Sequence, residues 1–262
     1  MKEKIGVIDS GVGGLTVAKE ILRHLPFEDV IYFGDTGRCP YGNRSTEEIK
    51  QFTWQMIHYI MKYKLKALVI ACNTATAILL DEVKQMLSIP VFGVIEPGAK
   101  EAVEATKNKK TAVIATTRTI ESGAYPEAIK SLETKTEVTS LSCPLFVPMI
   151  EAGHRTNKEM KMVVEQSLKP ILNKGIDTLV LGCTHYPLIE DVIQEVVGSH
   201  VTLVHSGKRI AHELEKTLKL ETSKNGKHLF FVSGNAEAFE QTVKGWMGMN
   251  PSVKTVDFEL VT

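Results

Sequence analysis

The 262-residue sequence predicts an α/β protein. The reading is two pseudo-symmetric α/β domains with mostly parallel sheets, and a site in the cleft between them. Two observations predict it. Short Val- and Ile-rich runs alternate with helical patterns, and the alternation starts again near the middle of the chain with local echoes of its first half.

The runs at 5–8, 30–33, 67–71 and 91–95 are apolar without strict alternation, which suits strands covered on both faces. Between the first two, Leu15, Ala18, Leu22 and Leu25 recur at helical spacing. After the second, Ser45 stands three residues before Glu48. That capping-box pattern opens a helix carrying Ile49, Phe52, Met56, Ile60 and Tyr63.

The strand series resumes at 111–115, 138–141, 178–181 and 201–205. KIGVIDSG from Lys4 echoes KTAVIATT from Lys110, 106 residues on, and ALVIACNTA from Ala67 echoes TLVLGCTHY from Thr178, 111 residues on. Similar offsets in the same order indicate a duplicated unit. Ser206 is placed to cap a helix reaching about Leu218, and a strand in HLFFVSG (from His228) and a helix at 235–246 follow. This tail is too short for a domain and is expected to return to the first unit. The expected domains are 1–97 with 208–262, and 98–207.

Basic and acidic residues balance at 31 each, and no basic stretch exists. That argues against a nucleic-acid or membrane-surface partner. The N-terminal apolar run is too short for a signal-peptide core. The longest apolar region, 67–80, is broken by Asn73, Thr74 and Thr76, so no membrane span is expected and a cytoplasmic location is. Cys39, Cys72, Cys143 and Cys183 form no CxxC pair and should be free thiols.

The residues able to carry chemistry collect at strand carboxyl ends. In the first half these are Asp9-Ser10, Gly34-Asp35, Cys72-Asn73-Thr74 and Glu96. In the second they are Thr116-Thr117, Cys143, Cys183-Thr184-His185 and His205-Ser206. Cys72 and Cys183 occupy corresponding positions, each leaving a strand for an expected helix. A helix N-terminus favours a thiolate. With an ordinary pKa near 8.5, a cysteine needs about 2 kcal/mol to ionise at pH 7, which a helix end and one neighbouring base can offset.

One cysteine so placed is ordinary core filler; a matched pair asks for another reading. A phosphatase loop would need arginine where Ile78 and Ile189 stand. A thiol hydrolase could use Cys183 with His185 but leaves Cys72 unexplained. A two-base racemase or epimerase uses both thiols, one removing a proton and the other returning it to the opposite face. A two-lobed binding protein, which needs neither thiol, stays open.

Ser10, Asn73, Thr74, Thr116, Thr117 and Thr184 are neutral donors and acceptors. With helix N–H groups they suit the carboxylates of an amino acid, and the same residues also serve as helix caps. Asp9 and His185 are the charged members, able to exchange a proton with a thiol or hold an ammonium group. Glu151 reads as surface by pattern alone. CPYGNRS (39–45), containing Pro40, Tyr41 and Gly42, is a turn-rich loop of the kind that closes over ligands. Its Gly42 and Asn43 suggest close backbone approach or positive φ. Cys39 and Cys143 read as inert.

DSGVGG is not a dinucleotide loop. Counted from Gly11, the last glycine of G-x-G-x-x-G would be residue 16, which is Thr16. The glycines instead let a helix approach the first strand closely. Asp35, at the end of the second strand, would suit a ribose only if that fingerprint were complete. No lysine stands at a strand end to form a Schiff base with pyridoxal phosphate.

Together DSGVGG (9–14), PYG (40–42), ACNTAT (71–76) and GCTHYP (182–187) resemble the glutamate racemases, cofactor-independent enzymes that make D-glutamate for bacterial peptidoglycan. The match runs in order over most of the chain. A broader group that includes aspartate racemases shares the paired cysteines, but its second motif looks more like GCTE. His185 and the Asp9-Ser10-Gly11 start are similar to the glutamate branch.

The resemblance implies interconversion of L- and D-glutamate by proton transfer at the α-carbon, with Cys72 and Cys183 as the two bases and Asp9, His185 and Glu151 as their helpers. It implies Asp9-Ser10, Tyr41-Gly42, Asn73-Thr74 and Thr184-His185 as substrate contacts, a set that Pro40, Thr116 and Thr117 complete by position. It implies no cofactor and no metal, a role in cell-wall biogenesis and cell shape, and a homodimer. One departure is VHSGKRIA, from Val204, where an acidic residue would be expected in place of His205. Family members regulated by a peptidoglycan precursor carry an N-terminal extension that this sequence lacks, so no such activation is expected.

Overall fold

The elements run β1 (Lys4–Asp9), α1 (Leu15–His24), β2 (Asp29–Gly34), α2 (Thr46–Ile60), β3 (Leu65–Ile70), α3 (Asn73–Met86), β4 (Val91–Gly93) and α4 (Ile95–Ala105). The series continues with β5 (Lys110–Ala115), α5 (Thr117–Glu121), α6 (Ala124–Leu132), β6 (Glu137–Ser142), α7 (Phe146–Glu151), α8 (Lys158–Leu172), β7 (Thr178–Gly182), α9 (Glu190–Val197) and β8 (Thr202–Val204). It closes with α10 (Gly207–Thr217), β9 (His228–Val232), α11 (Ala236–Met247) and β10 (Val253–Thr255). These come from a computed structural model that describes residues 2–222 and 225–258. Residues 1, 223–224 and 259–262, which fall in the expected first domain, lie outside the described residues.

The chain divides into two units, Met1–Val94 with Gly207–Thr262, and Ile95–Ser206. The first holds a sheet in the order β10-β9-β2-β1-β3-β4 and the second a sheet in the order β6-β5-β7-β8. Among the described residues every strand pair is parallel. The order β2-β1-β3-β4 therefore recurs strand for strand as β6-β5-β7-β8, the relation the sequence echoes anticipate. The C-terminal tail extends the first sheet, because β9 pairs with β2.

The inner strands β1, β2, β3, β5 and β7 are buried along nearly their whole length, which is why they are apolar, whereas the edge strand β6 (EVTSLS) is only partly buried and carries polar residues. In the first unit Ile5, Val7 and Tyr32 pack with Leu15, Ala18 and Ile21 of α1 and with Ile210, Leu214 and Phe239 from the tail. Ile8, Phe33 and Ile70 point the other way, onto Ile49, Met56 and Ile60 of α2 and Leu79 and Val83 of α3. In the second unit Ile114, Leu179 and Leu181 meet Val164 and Leu168 of α8 and Ile193 of α9. Among the described residues no helix is long and apolar enough to cross a membrane.

The capping box forms as read: Ser45 N–H donates to Glu48 Oε2 at 2.9 Å, and Glu48 N–H donates to Ser45 Oγ at 3.2 Å. One reading needs correction, and one strand was not anticipated. The fourth strand stops at Gly93 and Ile95 already begins α4, so Glu96 lies in the first turn of a helix rather than at a strand end. Pro97 explains this, since proline is tolerated in a first helical turn and a carboxylate there meets the positive end of the helix. Strand β10, three residues long, carried no periodic signal and exists only by pairing with β9.

Gly34 ends β2 where the loop after β1 crosses it. A Cβ there would lie 2.5 Å from the carbonyl oxygen of Gly11, which is backbone and cannot swing away. Gly34→Ala is expected to cost about 1–3 kcal/mol of stability as overpacking, read as a lower denaturant midpoint at an unchanged m-value.

Candidate active site

In each sheet the chain steps one way from its first strand, β1 to β2 and β5 to β6, and then crosses back to the first strand's other side, to β3 and to β7, so the strand order reverses beside β1 and beside β5. Open α/β sheets bind ligands at the carboxyl ends flanking such a switch point. In the first unit these ends carry Asp9-Ser10 and Cys72-Asn73-Thr74. Ala71 N–H donates to Ile8 O at 2.8 Å, so Asp9 and Cys72 are the residues that follow this bond at the carboxyl ends of the neighbouring β1 and β3. In the second unit they carry Thr116-Thr117 and Cys183-Thr184-His185.

Cys72 is buried and is itself the N-cap of α3, its Sγ accepting from the Ala75 N–H at 3.5 Å. Asn73 and Thr74 are then the first residues of the helix rather than its caps, and both are buried polar side chains. Sulfur occupies the place where Ser, Thr, Asp or Asn usually sits. There the helix N-terminus favours the ionised thiol. Asp9 is fully buried and accepts from the Gly11 N–H at 3.0 Å. A Cβ on Gly14 would fall 2.5 Å from Asp9 Cβ, so the glycine gives α1 its close approach, without positive φ.

Cys183 departs from expectation. It enters a turn, with Tyr186 N–H donating to Cys183 O at 3.1 Å, and then a 3₁₀ turn, Tyr186–Ile189, before α9. It is not a helix cap, because Pro187 and the tight turn delay the helix. Its partner is a side chain instead. Cys183 Sγ lies 3.9 Å from His185 Nδ1, and His185 Nε2 lies 2.9 Å from Glu151 Oε1. An ionised Glu151 can only accept, so Nε2 carries the hydrogen and Nδ1 faces the sulfur.

Burial pulls the His185 pKa down, but hydrogen bonds to Cys183 and Glu151, together with the charges of both, outweigh it and lift the ring to about 10. Glu151, read as surface from pattern, sits at the C-terminal end of α7 with its side chain 32% exposed and its carboxylate turned to the buried His185.

The remaining residues divide. Thr116 is the N-cap residue of α5, but its hydroxyl meets that of Thr119 at 3.0 Å instead of capping; Thr117 begins the helix. Thr184 is buried beside Cys183. Pro40 leads into a 3₁₀ turn, Tyr41–Asn43, in which neither Gly42 nor Asn43 has positive φ. The Tyr41 side chain is buried, and its hydroxyl donates to Asp35.

Cys143 is buried, and burial, then the neighbouring Cys183, pushes its thiol up to about 12, which keeps it protonated. Sequence reasoning missed Tyr186 as a support: its hydroxyl donates to Cys143 O at 3.1 Å and its ring stands edge-on to Phe146, 5.1 Å between centroids. Only its place in GCTHYP marked it.

The fold and these residues define a class: a two-unit parallel α/β protein with one thiol at the switch point of each sheet. The sequence model of Asp/Glu/Hydantoin racemase matches residues 5–214. The chain belongs to this family of racemases and is an isomerase. It is 50% identical over 254 residues to glutamate racemase of Enterococcus faecalis, covering 95% of this chain and 93% of that protein. It is similar to the crystal structure of the glutamate racemase isoform RacE1 from Bacillus anthracis, with TM-score 0.94, 44% identity and 97% of each chain covered. It is also similar to glutamate racemase from Francisella tularensis in complex with D-glutamate, with TM-score 0.91, 35% identity and 99% of each chain covered.

Proposed function

We propose that this protein interconverts L- and D-glutamate by a two-base mechanism in which Cys72 and Cys183 exchange a proton with the α-carbon. The observation that carries this reading is the equivalence of the two thiols. They follow β3 and β7, the matching strands of two sheets with the same order, and each has its own means of becoming a thiolate. For Cys72 the means is a helix N-terminus, and for Cys183 it is the His185–Glu151 pair. Glutamate is the substrate because the relatives that match nearly the whole chain are glutamate racemases.

One thiolate removes the α-proton and becomes a thiol. The opposite thiol delivers its proton to the other face of the carbanion and becomes a thiolate. The reverse reaction exchanges the roles, and no electrons leave the site, so the step needs no cofactor. The mechanism requires the two thiols on opposite faces of one α-carbon. Asp9 assists Cys72, and His185 with Glu151 assists Cys183. Ser10, Asn73, Thr74, Thr116, Thr117, Thr184 and the backbone of the 40–42 loop hold the carboxylates and the ammonium group. The product serves peptidoglycan synthesis in the cytoplasm, and the enzyme works as a homodimer.

Turnover of L-glutamate in deuterated water is expected to place deuterium on the α-carbon of the D-product. Product formed without solvent deuterium would mean that the abstracted proton itself is returned without exchanging with solvent, and would overturn the mechanism. Comparing rates on glutamate and aspartate separates the two acidic substrates of the family; faster aspartate turnover would overturn the substrate assignment.

A further inference from the structure

We propose that Asp35 is a positioning residue for the 40–42 loop, holding that loop in its substrate-binding register through the Tyr41 hydroxyl. The inference rests on the reading of Tyr41-Gly42 as a substrate contact.

Asp35 is the first residue after β2 and is wholly buried. A buried carboxylate is costly unless it is paired and its lone pairs are filled. Here they are filled from several segments. Arg38 Nε donates to both oxygens, at 3.0 and 2.9 Å. Ser233 Oγ, from the loop after β9, donates to Oδ1 at 2.5 Å, and Tyr41 Oη donates to Oδ2. Asp35 N–H donates to Asp9 O at 3.0 Å, so the same residue is tied to the end of β1.

The partners are held in turn. Arg38 Nη1 donates to Gln55 Oε1 at 2.5 Å, and the guanidinium lies over the rings of Phe52 and Phe258, at 4.0 and 4.5 Å from their centroids. Ser233 Oγ accepts from the Gly37 N–H at 2.9 Å. The result is a charge-assisted anchor at the carboxyl edge of the first sheet. It joins the ends of β1, β2 and β9 to the loop that carries PYG.

The anchor also settles what Tyr41 offers. Its hydroxyl is engaged by Asp35 and its ring is buried. Burial, and then the Asp35 carboxylate, pushes the phenol well above its ordinary pKa, so it stays a donor. The loop therefore presents Tyr41-Gly42 backbone to a ligand, and the tyrosine side chain fixes where that backbone lies.

The test compares wild type with Asp35→Asn, Tyr41→Phe and the double variant. The readouts are amide hydrogen exchange in residues 39–44 and steady-state glutamate kinetics. Tyr41→Phe keeps the ring and its packing, so it carries the test if Asp35→Asn does not fold.

Each single variant is expected to speed exchange in the loop about tenfold, the order set by losing a hydrogen bond to a charged group. Each should raise KM for glutamate by a similar factor with kcat nearly unchanged, because a contact made equally in the ground state and the transition state is weakened. The double variant should be no worse than Asp35→Asn alone, because both changes cut one link. Unchanged loop exchange in Tyr41→Phe, or additive effects in the double variant, would overturn the proposal. If wild type turns over no glutamate, the substrate reading fails by itself, and the exchange measurements still decide the role of Asp35.

Discussion

Cys72→Ser is expected to slow racemisation by about 10²–10⁴-fold, the range supplied by a positioned proton-transfer group. The serine hydroxyl keeps the shape of the thiol but does not ionise near neutral pH. The loss should not come from unfolding. Cys72 caps α3 with its sulfur, and serine is among the preferred N-cap residues, so the variant should melt at or above the wild-type temperature. Loss of activity with retained stability separates catalysis from structure.

Cys183→Ser should fall by a similar factor. Each turnover needs one thiol to take a proton and the other to give one, so the double variant should be no slower than either single variant. Circular dichroism of glutamate solutions follows the conversion in both directions. Near-wild-type rate in either single variant would sink the two-base mechanism.

His185→Asn is expected to produce the second large effect, and its signature is pH dependence of stability. The ring is raised from about 6.5 to about 10 in the folded protein. A group whose folded pKa is raised contributes stability that is complete below the unfolded value and is lost as pH rises through the folded one. The advantage of wild type over His185→Asn should therefore be greatest at or below about pH 6.5. Its proton-linked part should be on the order of a few kcal/mol and fade by about pH 10 to 11.

Denaturant unfolding of both proteins at pH 6 and pH 10 measures the difference. A gap that does not change with pH would mean that His185 is held as a neutral ring. The same substitution removes a positive charge beside Cys183, so alkylation of that thiol at pH 7 should be slower than in wild type.

How much of this was legible in the sequence follows from where the signals lie. Strands covered on both faces must be apolar, and such runs can be read from a few neighbouring residues. That made β1, β2, β3, β5 and β7 plain. The capping box at Ser45 and Glu48 was equally local, with both bonds made across three residues. The matched thiols emerged because a duplicated unit repeats its strand ends along with its strands. Glu96 was misplaced because a short strand and a helix starting at Ile95 share one apolar run.

The environment of each thiol was a different matter. Cys72 and Cys183 look alike in the chain, each between a strand and polar residues. Folding makes one a helix cap and turns the other toward His185 and a carboxylate 34 residues from that histidine, on α7. Asp35 shows the same limit, since its partner Ser233 is 198 residues distant. Hydrophobic periodicity and caps report on a residue and its near neighbours, so the amino-acid order could set the strands, the repeat and the paired cysteines. Hydrogen bonds between buried side chains depend on which loops arrive at the same sheet edge. Desolvation then makes those pairings strong enough to set charge states, and that arises only when the sheets have formed.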